Sequence, residues 1–541
     1  MSKIGKFFVR AAVPLMVIVA LALGVLLGGG YATYHSNQRY SSLLSSVMGQ
    51  TSKLAATLQL IDKHYVDSIA VNDLVEELMP KLVGMLDPHS DYIPASKFQR
   101  ANESLDGEFD GIGVVFNMAT DTVIVLNVIP TGPSNKAGVL ARDRIITIDG
   151  RNVAGEKINQ DSVVKMLRGK RGTRVVVGVE RGGNDELVDI EITRGKIPIH
   201  SVTAKLMLSD GVGYITLAQF SRNTYKEFVE AMNELRVQGM KSLILDLRGN
   251  SGGFMDQAIA LATEFLPKNS LIVYTEDRDG KQTKEYTKRD GQLQQLPLAV
   301  LIDEGSASSS EIVAGALQDN DRGVIIGRRS FGKGLVQQQI PFADGSALRL
   351  TIARYFTPTG RSIQKPYTMG DKEGYERDII NRIEHEELYT IDSIQFVDSL
   401  RKVTPKGKVV YGGGGIMPDI FVGVDREELP EFVSKVIRDN TLYLYTIEYS
   451  DKNRYRLASV ETIADLDRVL TEDRDLYTNF IKYARAKGIE VDEEQIASSE
   501  ELLTARLRAH IGRNTSLGDN GFYINIYPFD DAIMRAIKEL N

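Results

Sequence analysis

From residue 201 to about 424, short apolar and β-branched runs alternate with helical stretches. No other feature of the 541-residue chain constrains its fold as much. Residues 213–217, 242–247, 271–274, 298–302 and 323–326 read as strands, and 223–237, 254–265 and 311–317 read as helices. That order predicts α/β layering around one sheet. Residues 335–340 and 347–355 then read as a strand pair around the Asp344-Gly345 turn.

The flanking regions differ from this core. Between about 36 and 98 the pattern is helical: Leu54, Leu58 and Ile61 recur at helical spacing, as do Leu74, Leu78, Leu82 and Met85. Asp87-Pro88 ends the second stretch. From 105 to 194 short strands take over, broken by one helix at about 160–167, with turns at Asp149-Gly150 and Gly182-Gly183. After about 426 the chain is charged and largely helical.

The N-terminus carries Lys3, Lys6 and Arg10 ahead of an uncharged apolar run at residues 11–27. Positive charge before an apolar run is a targeting pattern, which places the rest of the chain outside the cytoplasm. The run is long enough to remain as a bilayer anchor, the reading preferred here. The small residues around Tyr31 (Gly30 and Ala32) also fit a cleavage site.

Composition removes several chemistries. The chain has no cysteine, so a thiol nucleophile, thiolate metal sites and disulfides are excluded. Its six histidines are scattered with no H-x-x-x-H pair, and no metal or cofactor is expected. A net charge of −7 without a basic stripe gives no reason to expect a nucleic-acid partner.

Three glycine-and-serine motifs compete for the active site. Gly249-Asn250-Ser251-Gly252-Gly253 matches G-x-S-x-G between a strand and a helix, where a hydrolase of histidine type would hold a nucleophile. The histidines that follow, His385 and His510, sit in no clear strand-end loop, so the loop reads better as backbone N–H groups turned toward an oxyanion. Gly327 to Lys333 has phosphate-loop spacing, but Gly334 stands where a hydroxyl should hold magnesium, and a strand follows instead of a helix. What remains there is Lys333 in a tight turn. The third motif, Gly305 to Ile312, follows an apolar strand and opens a helix. Ser308 and Glu311 have capping-box spacing, while the run of small residues lets a substrate backbone come close. A serine and a lysine work together without histidine when burial keeps the lysine neutral; Phe331, Leu335 and Val336 suit that need around Lys333.

Ser308-Ser309-Ser310-Glu311-Ile312, Ala314 to Asp319, and Ser330-Phe331-Gly332-Lys333-Gly334 with Gln337 resemble the carboxyl-terminal processing peptidases, also called tail-specific proteases. Leu86 to Ser90, Leu247 to Gly253, Phe356 to Arg361 and Gly414 to Asp419 resemble further motifs of that family. The resemblance implies an α+β chain with a crotonase-like peptidase core and an inserted β-rich PDZ domain. It implies Ser308 as nucleophile, Lys333 as general base and Gln337 as the residue that orients the lysine. Gly253, or Gly252 in another register, and Ser309 would supply oxyanion N–H groups, and Asp319 would be structural. Ser309 departs from the alanine usual after the nucleophile, and His89 lies in a motif without catalytic duty. Gly111-Ile112-Gly113-Val114 resembles a PDZ carboxylate-binding loop.

The expected organisation is therefore a signal or anchor at 1–35, a helical region at 36–98, a PDZ domain at 99–196, a serine peptidase core at 197–425, and a helical extension of unknown role at 426–541. The expected function is an exported, periplasmic serine endopeptidase, anchored to the inner membrane and acting on proteins with free C-termini. The alternative is a non-catalytic PDZ scaffold on a degenerate core. Self-association is left open.

Overall fold

A computed structural model describes residues 50–118, 122–181, 186–425, 429–490 and 492–541. The apolar run at 11–27 and the Ala32 cleavage site lie outside the described residues. Among the described residues, no helix is long and apolar enough to cross a membrane. The chain divides into two units, Met1–Leu82 and Val83–Asn541. The first contains the helix Gln50–His64 and most of Val71–Gly84, in agreement with the helical spacing of their leucines.

Within the second unit, Asp91–Ile93 is a strand, although it falls in the region read as helical. Three residues are too few to show a period, and its place is fixed by antiparallel pairing with Arg349, Leu348 and Ala347. The β-rich module follows. Its antiparallel sheet runs in the order Val114–Asn117, Val123–Val128, Arg144–Ile148, Arg174–Glu180, Val188–Thr193. The turn at Asp149-Gly150 forms as expected, with Ile148 paired to Arg151. The helix Gln160–Leu167 is capped by Asn159, whose side chain accepts from Ser162 N at 2.8 Å. It buries Val163 and Leu167 against Val125, Ile145 and Val177. The chain enters and leaves the module side by side, through Glu108–Gly111 paired with Gly195–Pro198.

The core sheet has the order Val202–Met207, Val212–Leu217, Ser242–Asp246, Leu298–Ile302, Val324–Gly327, Ile420–Phe421. Its first pair is antiparallel and the rest are parallel. The strands are apolar at successive residues because both faces are covered. Leu243, Leu245 and Val300 face the helices Thr224–Val237, Met255–Thr263 and Ser309–Asp319. Ile244, Ala299, Leu301 and Ile326 pack instead against Ala532, Ile533, Ala536 and Ile537 of the helix Asp531–Leu540. The last helix of the C-terminal region therefore closes the second face of the core. The rest of that region builds its own core around Phe432, Tyr445, Phe480 and Leu503. A second, antiparallel sheet gathers Asp91–Ile93, Ala347–Phe356, Leu271–Asp277, Gln282–Tyr286 and Leu335–Pro341.

Candidate active site

The strand Leu298–Ile302 ends beneath a turn that delivers Ser308 to the start of the helix Ser309–Asp319. Ser308 has φ +52° and ψ −111°, a conformation that costs a non-glycine residue free energy and is held only by its surroundings. Two clasps supply the hold. Ala307 N donates to Asn250 O at 3.0 Å and Ser310 Oγ donates to the same carbonyl at 2.8 Å, which ties the Ser308 turn to the glycine loop. Ser308 N donates to Glu311 Oε2 at 2.8 Å.

Glu311 does more than complete a helix cap. Its side chain is buried, and its two oxygens take four donors. Oε2 accepts from Ser308 N and from Lys333 N at 2.9 Å, while Oε1 accepts from Ser330 Oγ at 2.6 Å and Gly332 N at 2.7 Å. Burial pushes this carboxyl up to about 7, against the pull of those donors toward the ionised form. Tyr355 makes a second bridge: its hydroxyl donates to Lys333 O at 2.6 Å and Ser308 O at 3.1 Å. The segments bearing Ser308 and Lys333 are thus joined twice through their backbones. The sequence showed Glu311 only as half of a capping box, and nothing local to Tyr355 marked it.

Lys333 and Gln337 come together as the resemblance implied. Lys333 Nζ donates to Gln337 Oε1 at 3.0 Å. The orientation of Gln337 is fixed from behind, because its Nε2 donates to the carbonyl of His89. His89 therefore has a positioning part through its backbone, although its motif was read as carrying no catalytic duty. Its ring shares a hydrogen bond with Tyr375 Oη at 2.9 Å and is kept neutral, lowered to about 4 by burial and by the nearby Lys333 charge. Asp87 holds this loop, accepting from His89 N, Ser90 N and Thr351 Oγ1. Burial and the Arg349 charge both lower the Lys333 ammonium from its ordinary value. Leu335 and Val336 share the lysine's cavity, but Phe331 does not: Lys365 sits over its ring at 4.1 Å.

Ser308, Ser309, Lys333 and Gln337 line one cavity of about 830 Å³. Gly252 and Gly253 line it as well, with Gly252 packed directly against Ser308. A side chain at Gly252 would come within 2.7 Å of Ser308 Cβ, and one at Gly253 within 2.0 Å of the Phe220 carbonyl oxygen. Gly252 N already donates to Asn250 Oδ1 at 2.9 Å. Among the described residues, the N–H groups of Gly253 and Ser309 have no protein acceptor. Ser251 also lines the cavity and is exposed. Asp319 lies deeper, accepting from Thr359 and from the buried guanidinium of Arg361 at 2.6 Å.

In the β-rich module, Gly111 ends a strand, paired with Gly195. Ile112 O and Gly113 O accept from Ser134 N and Ile129 N inside the module, at 2.9 and 3.0 Å. Among the described residues, the Ile112 and Gly113 N–H groups have no protein acceptor. Val114 opens the edge strand beside them.

Comparison with known proteins matches residues 211–379 to peptidase family S41, residues 111–192 to the PDZ domain, and residues 432–516 to a family of unknown function. The carboxy-terminal-processing protease of Bartonella bacilliformis is 36% identical over 363 residues, covering 66% of this chain and 79% of that one. Carboxy-terminal processing protease CtpB of Bacillus subtilis is 32% identical over 369 residues, covering 64% and 75%. A solved structure of a photosystem II D1 C-terminal processing protease is 27% identical, covers 71% of this chain and 95% of its own, and has a TM-score of 0.34.

Proposed function

This chain belongs to the carboxy-terminal processing proteases of peptidase family S41, and on that premise we propose that it works through a Ser308–Lys333 dyad. It is a serine-type endopeptidase with a PDZ domain, and its substrates are peptides or proteins. The observation that carries the dyad is the double bridge through Glu311 and Tyr355, which locks the Ser308 and Lys333 segments at one cavity.

The chemistry follows from those groups. Neutral Lys333 Nζ takes the proton of Ser308 Oγ as the oxygen attacks a peptide carbonyl. The carbonyl oxygen becomes an oxyanion, which the Gly253 and Ser309 N–H groups would stabilise. The protonated lysine then gives its proton to the leaving amine. Water attacks the acyl-serine ester by the same steps, releasing the new C-terminus and restoring Ser308. Gln337, held by His89 O, keeps Nζ in place. Gly253 is preferred over Gly252 because the Gly252 N–H is already bonded to Asn250.

The Ile112 and Gly113 N–H groups and the open edge at Val114 support capture of a substrate's terminal carboxylate by the PDZ domain. The parallel strands and intervening helices of the core support a crotonase-like assignment. Export, with anchoring by residues 11–27, rests on the basic-then-apolar N-terminus. The mass and N-terminal sequence of the mature protein test it: an intact Met1 end in the membrane fraction supports the anchor, and a start near Thr33 shows cleavage.

The dyad is tested on the purified full-length chain with a tailed protein substrate. Ser308→Ala and Lys333→Ala should each lower kcat by at least about 10³-fold, while Ser251→Ala stays within about threefold of the parent. Equal cleavage by the parent and Ser308→Ala would defeat the assignment.

A further inference from the structure

The strand Val114–Asn117 pairs with Val123–Val128 on one side and, among the described residues, with no strand on the other. Past its end lies a cavity of about 660 Å³ with walls from two regions. Phe116, Met118 and Ile158 line it from the PDZ domain, and Asn440, Tyr443 and Leu444 line it from the region that matches a family of unknown function. The second wall is anchored in its own core. Asn440, at φ +55°, turns the chain between the helices Glu431–Arg438 and Thr441–Lys452. Leu442 and Tyr445 are buried in the helical core, while Tyr443 and Leu444 are half-buried and reach the cavity. The Tyr443 ring rests edge-on against His510, centroids 5.8 Å apart, and its hydroxyl accepts from Asn117 Nδ2 at 2.5 Å.

A peptide added antiparallel to this edge, with its carboxylate at Ile112 and Gly113, advances one residue for each residue of the strand. With its last residue opposite Val114, its third upstream residue stands opposite Asn117 and its fourth opposite Met118. We propose that the C-terminal helical region is the outer wall of the tail-binding groove, with Tyr443 and Leu444 selecting an apolar residue about three or four positions upstream of the substrate's C-terminus. This rests on the tail-capture role proposed for the PDZ domain. It gives the helical region a part in substrate selection that the PDZ domain alone does not supply.

The test uses the full-length chain carrying Ser308→Ala, so that ligands survive, and fluorescent eight-residue peptides with free C-termini. Peptides with leucine at the third and fourth upstream positions should bind about 3- to 10-fold tighter than those with glycine there. Tyr443→Ala should abolish that preference and leave the preference at the terminal residue unchanged. Tyr443→Phe should keep both. Leu444→Ala, which leaves the Asn117 contact in place, should weaken the upstream preference and provides a second reading if Tyr443→Ala does not fold. An upstream preference that survives Tyr443→Ala and Leu444→Ala overturns the proposal. Equal tightening of both peptides by Tyr443→Ala also overturns it, because the tyrosine would then be closing the groove. If no free C-terminus binds the Ser308→Ala chain at all, the tail-capture reading fails and takes this inference with it; intact terminal preference without upstream preference defeats this inference alone.

Discussion

The segments bearing Ser308 and Lys333 are joined through buried side chains, whereas the PDZ domain meets the helical region through side chains that solvent partly reaches. Glu311 is fully buried and takes four donors, and Tyr355 adds two more bonds between the same segments. At the other contact, Asn117 donates to Tyr443, and Arg144 pairs with Asp451 at 2.9 Å with their side chains 38% and 23% exposed. The difference fits the roles proposed for the two regions. An oxyanion site must be organised before the charge develops, because dipoles that have to reorient do not lower the barrier. A groove that admits varied tails gains from a wall that can give, since partly exposed bonds exchange with water at little cost.

The contrast is broken most directly at Glu311. In Glu311→Gln one oxygen remains to accept, and the amide nitrogen faces two donors that lose their acceptor. Each unmet buried donor costs about 1–3 kcal/mol, so the variant should lose roughly 3–5 kcal/mol of stability in urea unfolding and most of its kcat. A pH series adds a sign. The folded-state value of Glu311 is raised from 4.5 to about 7, so the stability it contributes is present below 4.5 and is lost as pH rises toward 7. That slope should be present in the parent and reduced in Glu311→Gln. A variant as stable and active as the parent would show that the catalytic site is not rigidly tied after all.

Much of this arrangement was legible in the sequence, and the exceptions share a cause. Ser308, Lys333 and Gln337 were singled out by the family resemblance of their motifs, while nothing in the residues themselves showed that Lys333 and Ser308 would line one cavity. Glu311 was visible as a cap because that contact spans three residues, but its bonds to Ser330, Gly332 and Lys333 depend on a turn formed after the next strand. Gln337 and His89 are separated by more than two hundred positions, and no periodicity reports such a bond. The fold behaves likewise. The strand Leu298–Ile302 announced itself by composition, yet its outer face is covered by Asp531–Leu540, a helix far along the chain. Continuous apolar strands required a second layer without revealing which segment supplied it.

The comparison is sharpened at its weak end by Asp451→Ala. The Arg144–Asp451 pair is partly exposed, and Asp451 also attracts Arg142, whose guanidinium is lowered by burial and by the like charge of Arg454 and raised by Asp451. Removing Asp451 takes away the Arg144 ion pair and a weaker attraction to Arg142, and it strands no fully buried group. The expected loss is at most about 1 kcal/mol by urea unfolding, shrinking further at high salt, with kcat on a short untailed peptide unchanged. A loss above about 2 kcal/mol would show that the PDZ domain and the helical region are fastened as tightly as the catalytic segments. The outer wall of the groove would then be fixed, and any selection by Tyr443 would have to come from shape alone.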